Sequence, residues 1–185
     1  MQSHNSGRCG LHVNLSRDGM TSLQESKIYA FFNNLENRKF LHTVCRRFSE
    51  LSTIDGKTNY CRVHDFARYS DVKKGWIKDG KKVVCKNAAF TGKYSAVNFK
   101  ENVLEIRLPR GTLKKSTLLA NIDLCLAVVD WTRTGNNSIS LSKKPVSNDF
   151  IGWLSKPENK KQYNDLWAYC IEKGLNNVDL MQVIV

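Results

Sequence analysis

A chain of 185 residues that is 41% hydrophobic and 10% aromatic can bury a core and falls outside the disordered class. Its 29 Lys and Arg against 17 Asp and Glu give a formal charge of +12, which suits a surface that meets phosphate backbones, acidic proteins or anionic lipids. Residues 1–10 carry no apolar signal segment and no apolar run approaches the ~20 residues of a membrane span, so no membrane partner is expected and the six cysteines read as free, mostly buried thiols in a reducing, cytoplasmic setting.

In chain order, CGLHVNLS at 9–16 alternates as a strand, with Leu11, Val13 and Leu15 on one face and His12, Asn14 and Ser16 on the other. RDG at 17–19 breaks the pattern. Thr21 and Ser22 followed by Gln24 and Glu25 form a capping-box signature for a helix over 22–35, with Leu23, Ile28, Phe31, Phe32 and Leu35 as its apolar face. A second helix over 38–51 carries Phe40, Leu41, Val44, Cys45, Phe48 and Leu51, with Arg38, Lys39, Arg46 and Arg47 opposite. Residues 53–92 are glycine-punctuated loop, with KKVVCK as a short strand inside it.

KYSAVNF and VLEIRLP then alternate as two strands joined by a turn at KENV. The second turns Glu105 and Arg107 to an exposed face and Leu104, Ile106 and Leu108 to the other. Ser116 is positioned to cap a helix running to about 132, with Leu118, Leu119, Ile122, Cys125, Leu126 and Val129 as its core stripe. RTGNNS ends it, a short helix follows near 148–154, and SKPE at 155–158 starts a last long helix that stops at Gly174. Trp131, Trp153 and Trp167 read as core rather than as a stacking platform. Without repeat, linker or low-complexity block, residues 1–185 read as one α+β domain, an antiparallel sheet packed with helices, in which 135–185 form a helical C-terminal extension.

The polar residues admit several chemistries. Cys9/His12 and Cys61/His64 are two Cys-x-x-His pairs that make a zinc site on paper, but positions i and i+3 of a strand point to opposite faces. The stripe His12–Asn14 is compatible with a plain wetted sheet face, and Glu105–Arg107 with an exposed cross-strand pair.

Taken together, CGLHVN and, some ninety residues later, YSAVNF…VLEIRLPRGT resemble the two hallmark segments of the amidoligase family, which belongs with glutamine synthetase among ATP-dependent carboxylate–amine ligases. The resemblance covers roughly residues 8–134. It implies part of a glutamine-synthetase-like catalytic domain in which His12 and Glu105 ligate a magnesium or manganese ion on the ATP phosphates. It also implies that Arg107 holds a substrate carboxylate or phosphoryl oxygen and that Arg110 adds a phosphate contact. Asn14 stands where many relatives carry a second histidine; its amide can hydrogen-bond phosphate but cannot donate a proton as imidazolium. The family draws further acidic ligands from an upstream strand. Eleven residues precede His12 here and none is acidic, so the expectation is a catalytically incomplete scaffold, with no cofactor unless a functional ligase site brings ATP and Mg.

Charge then points to the function. From Lys73 to Arg110 there are ten basic residues against three acidic ones, with Trp76 and Tyr94 interleaved. Lys73, Lys74, Lys78, Lys81, Lys82, Arg107, Arg110, Lys114 and Lys115 are therefore the expected polyanion contacts. The expected function is a basic, amidoligase-like binding protein for nucleic acid or a ribonucleoprotein. Its style suits a phage or mobile-element gene, and an inhibitor of host defence such as an anti-CRISPR protein. The alternative is an active ATP-dependent carboxylate–amine ligase completed by another subunit or chain.

Overall fold

A computed structural model describes residues 10–46, 96–133 and 145–176. Its sheet has three antiparallel strands, β1 (Val13–Ser16), β2 (Val97–Phe99) and β3 (Val103–Ile106), in the order β1-β3-β2. β2 and β3 form a tight hairpin across Lys100–Val103, closed by the Lys100 N–H on the Val103 carbonyl at 2.8 Å. Asn14 and Asn98 both stand opposite Glu105, one from each side. Because side chains alternate along a strand, this register sorts the sheet completely. Val97, Leu104 and Ile106 are fully buried on the inner face, with Val13, Leu15 and Phe99 packed partly against them. The expected pairing of CGLHVNLS with VLEIRLPRG in one antiparallel sheet is observed.

The helices are α1 (Ser22–Asn33), α2 (Arg38–Cys45), α3 (Lys115–Arg133), α4 (Ser147–Leu154), α5 (Pro157–Gln162) and α6 (Asn164–Glu172), with a 3-10 turn at Leu35–Asn37. Thr21 caps α1, its hydroxyl accepting the Gln24 N–H at 3.2 Å. Gln24 does not close the box on Thr21; its side chain donates to the Val129 carbonyl of α3 at 3.0 Å. α3 packs against α1, α2 and α4 and most extensively along α6. Phe31, Trp131 and Phe150 form the centre of the core, with ring centroids 5.3–5.4 Å apart. Such tilted and edge-to-face pairs add roughly 0.5–1.5 kcal/mol each beyond area burial. Cys45, Cys125 and Cys170 are buried.

Asn37 is buried and splices the first helices to α4. Its amide donates to the Phe31 and Pro145 carbonyls, both at 2.9 Å, and its oxygen accepts the Ser147 N–H at 2.6 Å. Arg17 does the same for the sheet. Its Nε donates to Glu25 Oε1 at 2.8 Å, its NH1 group reaches the Lys100 and Glu101 carbonyls, and its guanidinium lies 5.4 Å from the Phe99 ring centroid. The hairpin is thus fastened to α1 through one side chain.

Several expectations are corrected. The predicted α3 stripe holds at Cys125 and Val129, which are buried, but Leu126 is exposed and Leu118, Leu119 and Ile122 are half-buried, whereas Ala120, Leu124, Ala127, Val128 and Trp131 are buried. A helix with neighbours on several sides has no single apolar stripe to find. Lys115, not Ser116, begins it. α2 stops at Cys45 because Arg46 turns left-handed, with φ 53°. Leu23 is exposed, while Gln24, Glu25 and Ser26 are buried. The single last helix is two: Tyr163, with φ −114° and ψ 52°, separates α5 from α6. The stop at Gly174 holds. Its φ of +65° suits a residue without Cβ, and the Gly174 and Leu175 N–H groups bond to the Ile171 and Cys170 carbonyls in a Schellman closure. Trp131 and Trp153 are core as expected, and Trp167 is partly buried. No described helix is long and apolar enough to cross a membrane.

Candidate functional site

The outer face of the sheet is polar. Alternation sends Asn14 of β1, Glu105 of β3 and Asn98 of β2 to that side, and continues the same face to His12, Arg107 and Lys100 just beyond the strand ends. Glu105 is its centre. The sequence pattern suggests an exposed carboxylate; in the structure it is buried, at 4% exposure, because neighbouring polar side chains close over it. Oε1 lies 3.2 Å from His12 Nδ1. Oε2 accepts from Asn98 Nδ2 at 3.1 Å, meets Lys100 Nζ at 3.2 Å and lies 3.6 Å from an Arg107 guanidinium nitrogen.

Burial alone would raise the Glu105 pKa. The hydrogen bonds from Asn98 and Lys100 and the positive charges of Arg107 and Lys100 outweigh it, and the carboxyl is held below the ordinary glutamate range. The cluster is therefore ionised at neutral pH. With two permanent cations around one carboxylate it carries a net positive charge, before any contribution from His12. A face of this kind attracts an anion. Arg107, only 14% exposed at its side chain, has the planar fork that suits phosphate or carboxylate.

A divalent cation is less well served by the protein itself. His12 and Glu105 lie within 3.2 Å of each other, but no group of three or more His, Cys, Asp or Glu side chains capable of holding a metal exists among the described residues. Cys9, Cys61 and His64 of the sequence-level zinc site lie outside the described residues.

The structure thus brings His12, Asn14, Glu105 and Arg107 onto one face. Arg110, Lys114 and Lys115 are found in other contacts. Arg110 forms an isolated bridge with Gly10 and donates its N–H to the Cys45 carbonyl at 2.9 Å; Lys114 Nζ lies 3.7 Å from Glu172; Lys115 opens α3. Lys73, Lys74, Lys78, Lys81 and Lys82, with the KKVVCK segment, lie outside the described residues. Asn98 and Lys100 are the site residues missing from the sequence reading. The signal for them is the hairpin: a tight turn at Lys100–Val103 fixes Asn98 opposite Glu105.

No protein-family model, curated protein or solved structure matches this chain.

Proposed function

We propose that the polar sheet face is the ligand-facing wall of an amidoligase-type, glutamine-synthetase-like scaffold, and that it recognises the phosphates of ATP together with a substrate carboxylate. The observation that carries this reading is the ionised, buried Glu105, held by Asn98, Lys100, His12 and Arg107 on the sheet face opposite the core. In this chemistry the substrate carboxylate attacks the terminal phosphorus of ATP, giving an acyl phosphate and ADP. The amine then displaces inorganic phosphate and an amide remains. Arg107 offsets negative charge on the carboxylate or the transferring phosphoryl group, and Asn14 and Asn98 orient oxygens. His12 and Glu105 would hold a divalent ion, which would supply charge neutralisation of the phosphates.

Calorimetric titration with ATP in the presence of magnesium tests the reading. Binding is expected, with Arg107→Ala weakening it about 10-fold or more, the ordinary worth of a lost charge-assisted hydrogen bond. Phosphate release that depends on magnesium and disappears in Glu105→Ala identifies turnover; binding without release identifies a scaffold that only binds. Absence of binding to ATP, ADP and inorganic phosphate at millimolar concentration, with and without magnesium, would refute the proposal.

A further inference from the structure

A second concentration of positive charge stands apart from the sheet face and does not depend on the ligase reading. Three segments converge on it. α2 ends at the exposed Arg46, fixed in the left-handed region with its N–H on the His42 carbonyl at 2.8 Å. The chain leaving β3 returns beside it, where the Arg110 N–H donates to the Cys45 carbonyl at 2.9 Å. Lys114, exposed before α3, places Nζ 3.7 Å from Glu172 Oε1, at the C-terminal end of α6. Lys173, the next residue of that end, holds the same oxygen at 2.9 Å, and the like charge of Arg46 reaches its ammonium group.

Lys114 and Lys173 therefore share the single carboxylate of Glu172, itself 47% exposed at its side chain, and the charge of Arg46 lies beside Lys173. Lys115 adjoins Lys114 in the chain. Folding alone gives no reason for this arrangement, because like charges brought together from three segments repel and cost stability. The two exposed large apolar residues of these segments, Leu113 at 81% and Ile171 at 52%, fall short of the broad apolar face that lipid-interface binding requires.

We propose that Arg46, Lys114 and Lys173 form a docking surface for a nucleic-acid phosphate backbone. The arginine suits bidentate contact with phosphate oxygens, and the two lysines supply mobile point charges beside it. Glu172 keeps the lysines gathered in the free protein and competes with the ligand for them. Arg46 and Lys173 extend the basic set beyond what the linear charge run suggests, since they lie far from it in sequence.

The test is fluorescence anisotropy of the full chain with a labelled 20-nucleotide RNA, the same DNA strand and the DNA duplex, from 50 to 300 mM KCl. Binding is expected to weaken steeply with salt. Arg46→Ala and Lys173→Ala should each weaken it severalfold for every sequence and flatten the log–log salt slope by about 0.7 per lost contact on a single strand and about 0.9 on a duplex. Glu172→Gln should tighten binding, an outcome that misfolding does not produce. Arg107→Ala separates this surface from the sheet face: it should impair ATP binding while RNA and DNA binding persists. Nucleic-acid affinity unchanged in a combined Arg46→Ala, Lys114→Ala, Lys173→Ala protein would overturn the assignment. So would capture by phosphatidylserine vesicles with no binding to RNA or DNA, which would mark a lipid-facing surface instead.

Discussion

Glu105→Gln removes one charge and almost no volume, so it reads the electrostatics of the sheet face without opening a cavity. Hydrogen bonds to a buried charged group contribute about 1.5–3 kcal/mol each. Two considerations reduce the sum here. Lys100 is 53% exposed at its side chain, which brings its pair toward the ~0–1 kcal/mol of surface ion pairs. The Arg107 contact, at 3.6 Å, is long, and the glutamine keeps an acceptor for Asn98. The expected loss at pH 7 is about 2 kcal/mol, which for a chain of this size lowers Tm by about 4–8 °C. The pH dependence has a definite sign. A carboxylate whose folded pKa lies below its unfolded value stabilises the fold above the unfolded pKa and loses that contribution as pH falls through the folded one. Urea unfolding of both proteins at pH 7 and at pH 3–4 should therefore show a gap that is full at neutrality and shrinks in acid. Equal stability at pH 7, or a gap that widens on acidification, would refute the account of Glu105 as an ionised, net-stabilising centre.

Three further outcomes follow from side chains outside the sheet. Asn37→Ala takes this partner from the Phe31 carbonyl and the Ser147 N–H and leaves the Pro145 carbonyl with the Asn34 amide at 3.2 Å, and should cost about 2–4 kcal/mol in urea unfolding, since each abandoned buried group costs about 1–3. Asp123 accepts the Leu166 N–H at 3.2 Å, yet burial and the neighbouring Asp165 raise its pKa, so its ionisation opposes folding as pH rises through the folded value; Asp123→Asn should be no less stable than wild type at pH 7, checked by thermal unfolding. Burial pushes the Cys125 thiol up and the Cys170 thiol to about 12, so mass-spectrometric mapping of alkylation in the native protein at pH 8 should find both unmodified until the chain unfolds.

What the sequence discloses follows the range of the physics involved. Period-2 alternation places Leu104 and Ile106 inside and His12 and Asn14 outside, because strand direction is set residue by residue. The Thr21 cap and the Gly174 stop are equally local. The break at Tyr163 and the two-sided burial of α3 are not: each depends on which helices lie alongside. Glu105 marks the boundary. Its face is readable from alternation, but its burial is the work of Asn98 and Lys100 on one hairpin arm and His12 some ninety residues earlier. Arg46 and Lys173 are harder still, being 127 positions apart in sequence and related only through the packing of α2 and α6 ends.

The two cationic clusters differ in how they would hold an anion, and this makes the two proposals separable. Apolar residues in place of a buried ion network are often neutral or stabilising, so the fold does not by itself require Glu105 and its partners. What the network does is fix donors: Arg107 and Lys100 are tethered by one carboxylate and need little reorganisation when a ligand oxygen arrives. Binding there should depend sharply on single side chains and weakly on salt. Arg46, Lys114 and Lys173 stand on exposed, rotatable stems, and their affinity would come mostly from counterion release, spread evenly over the contacts. Salt titrations of ATP binding and of RNA binding on the same protein, side by side, should therefore diverge: a shallow line for the first and a steep one for the second. Two equally steep lines, both flattened by Lys173→Ala, would mean that a single polyanion surface accounts for both ligands.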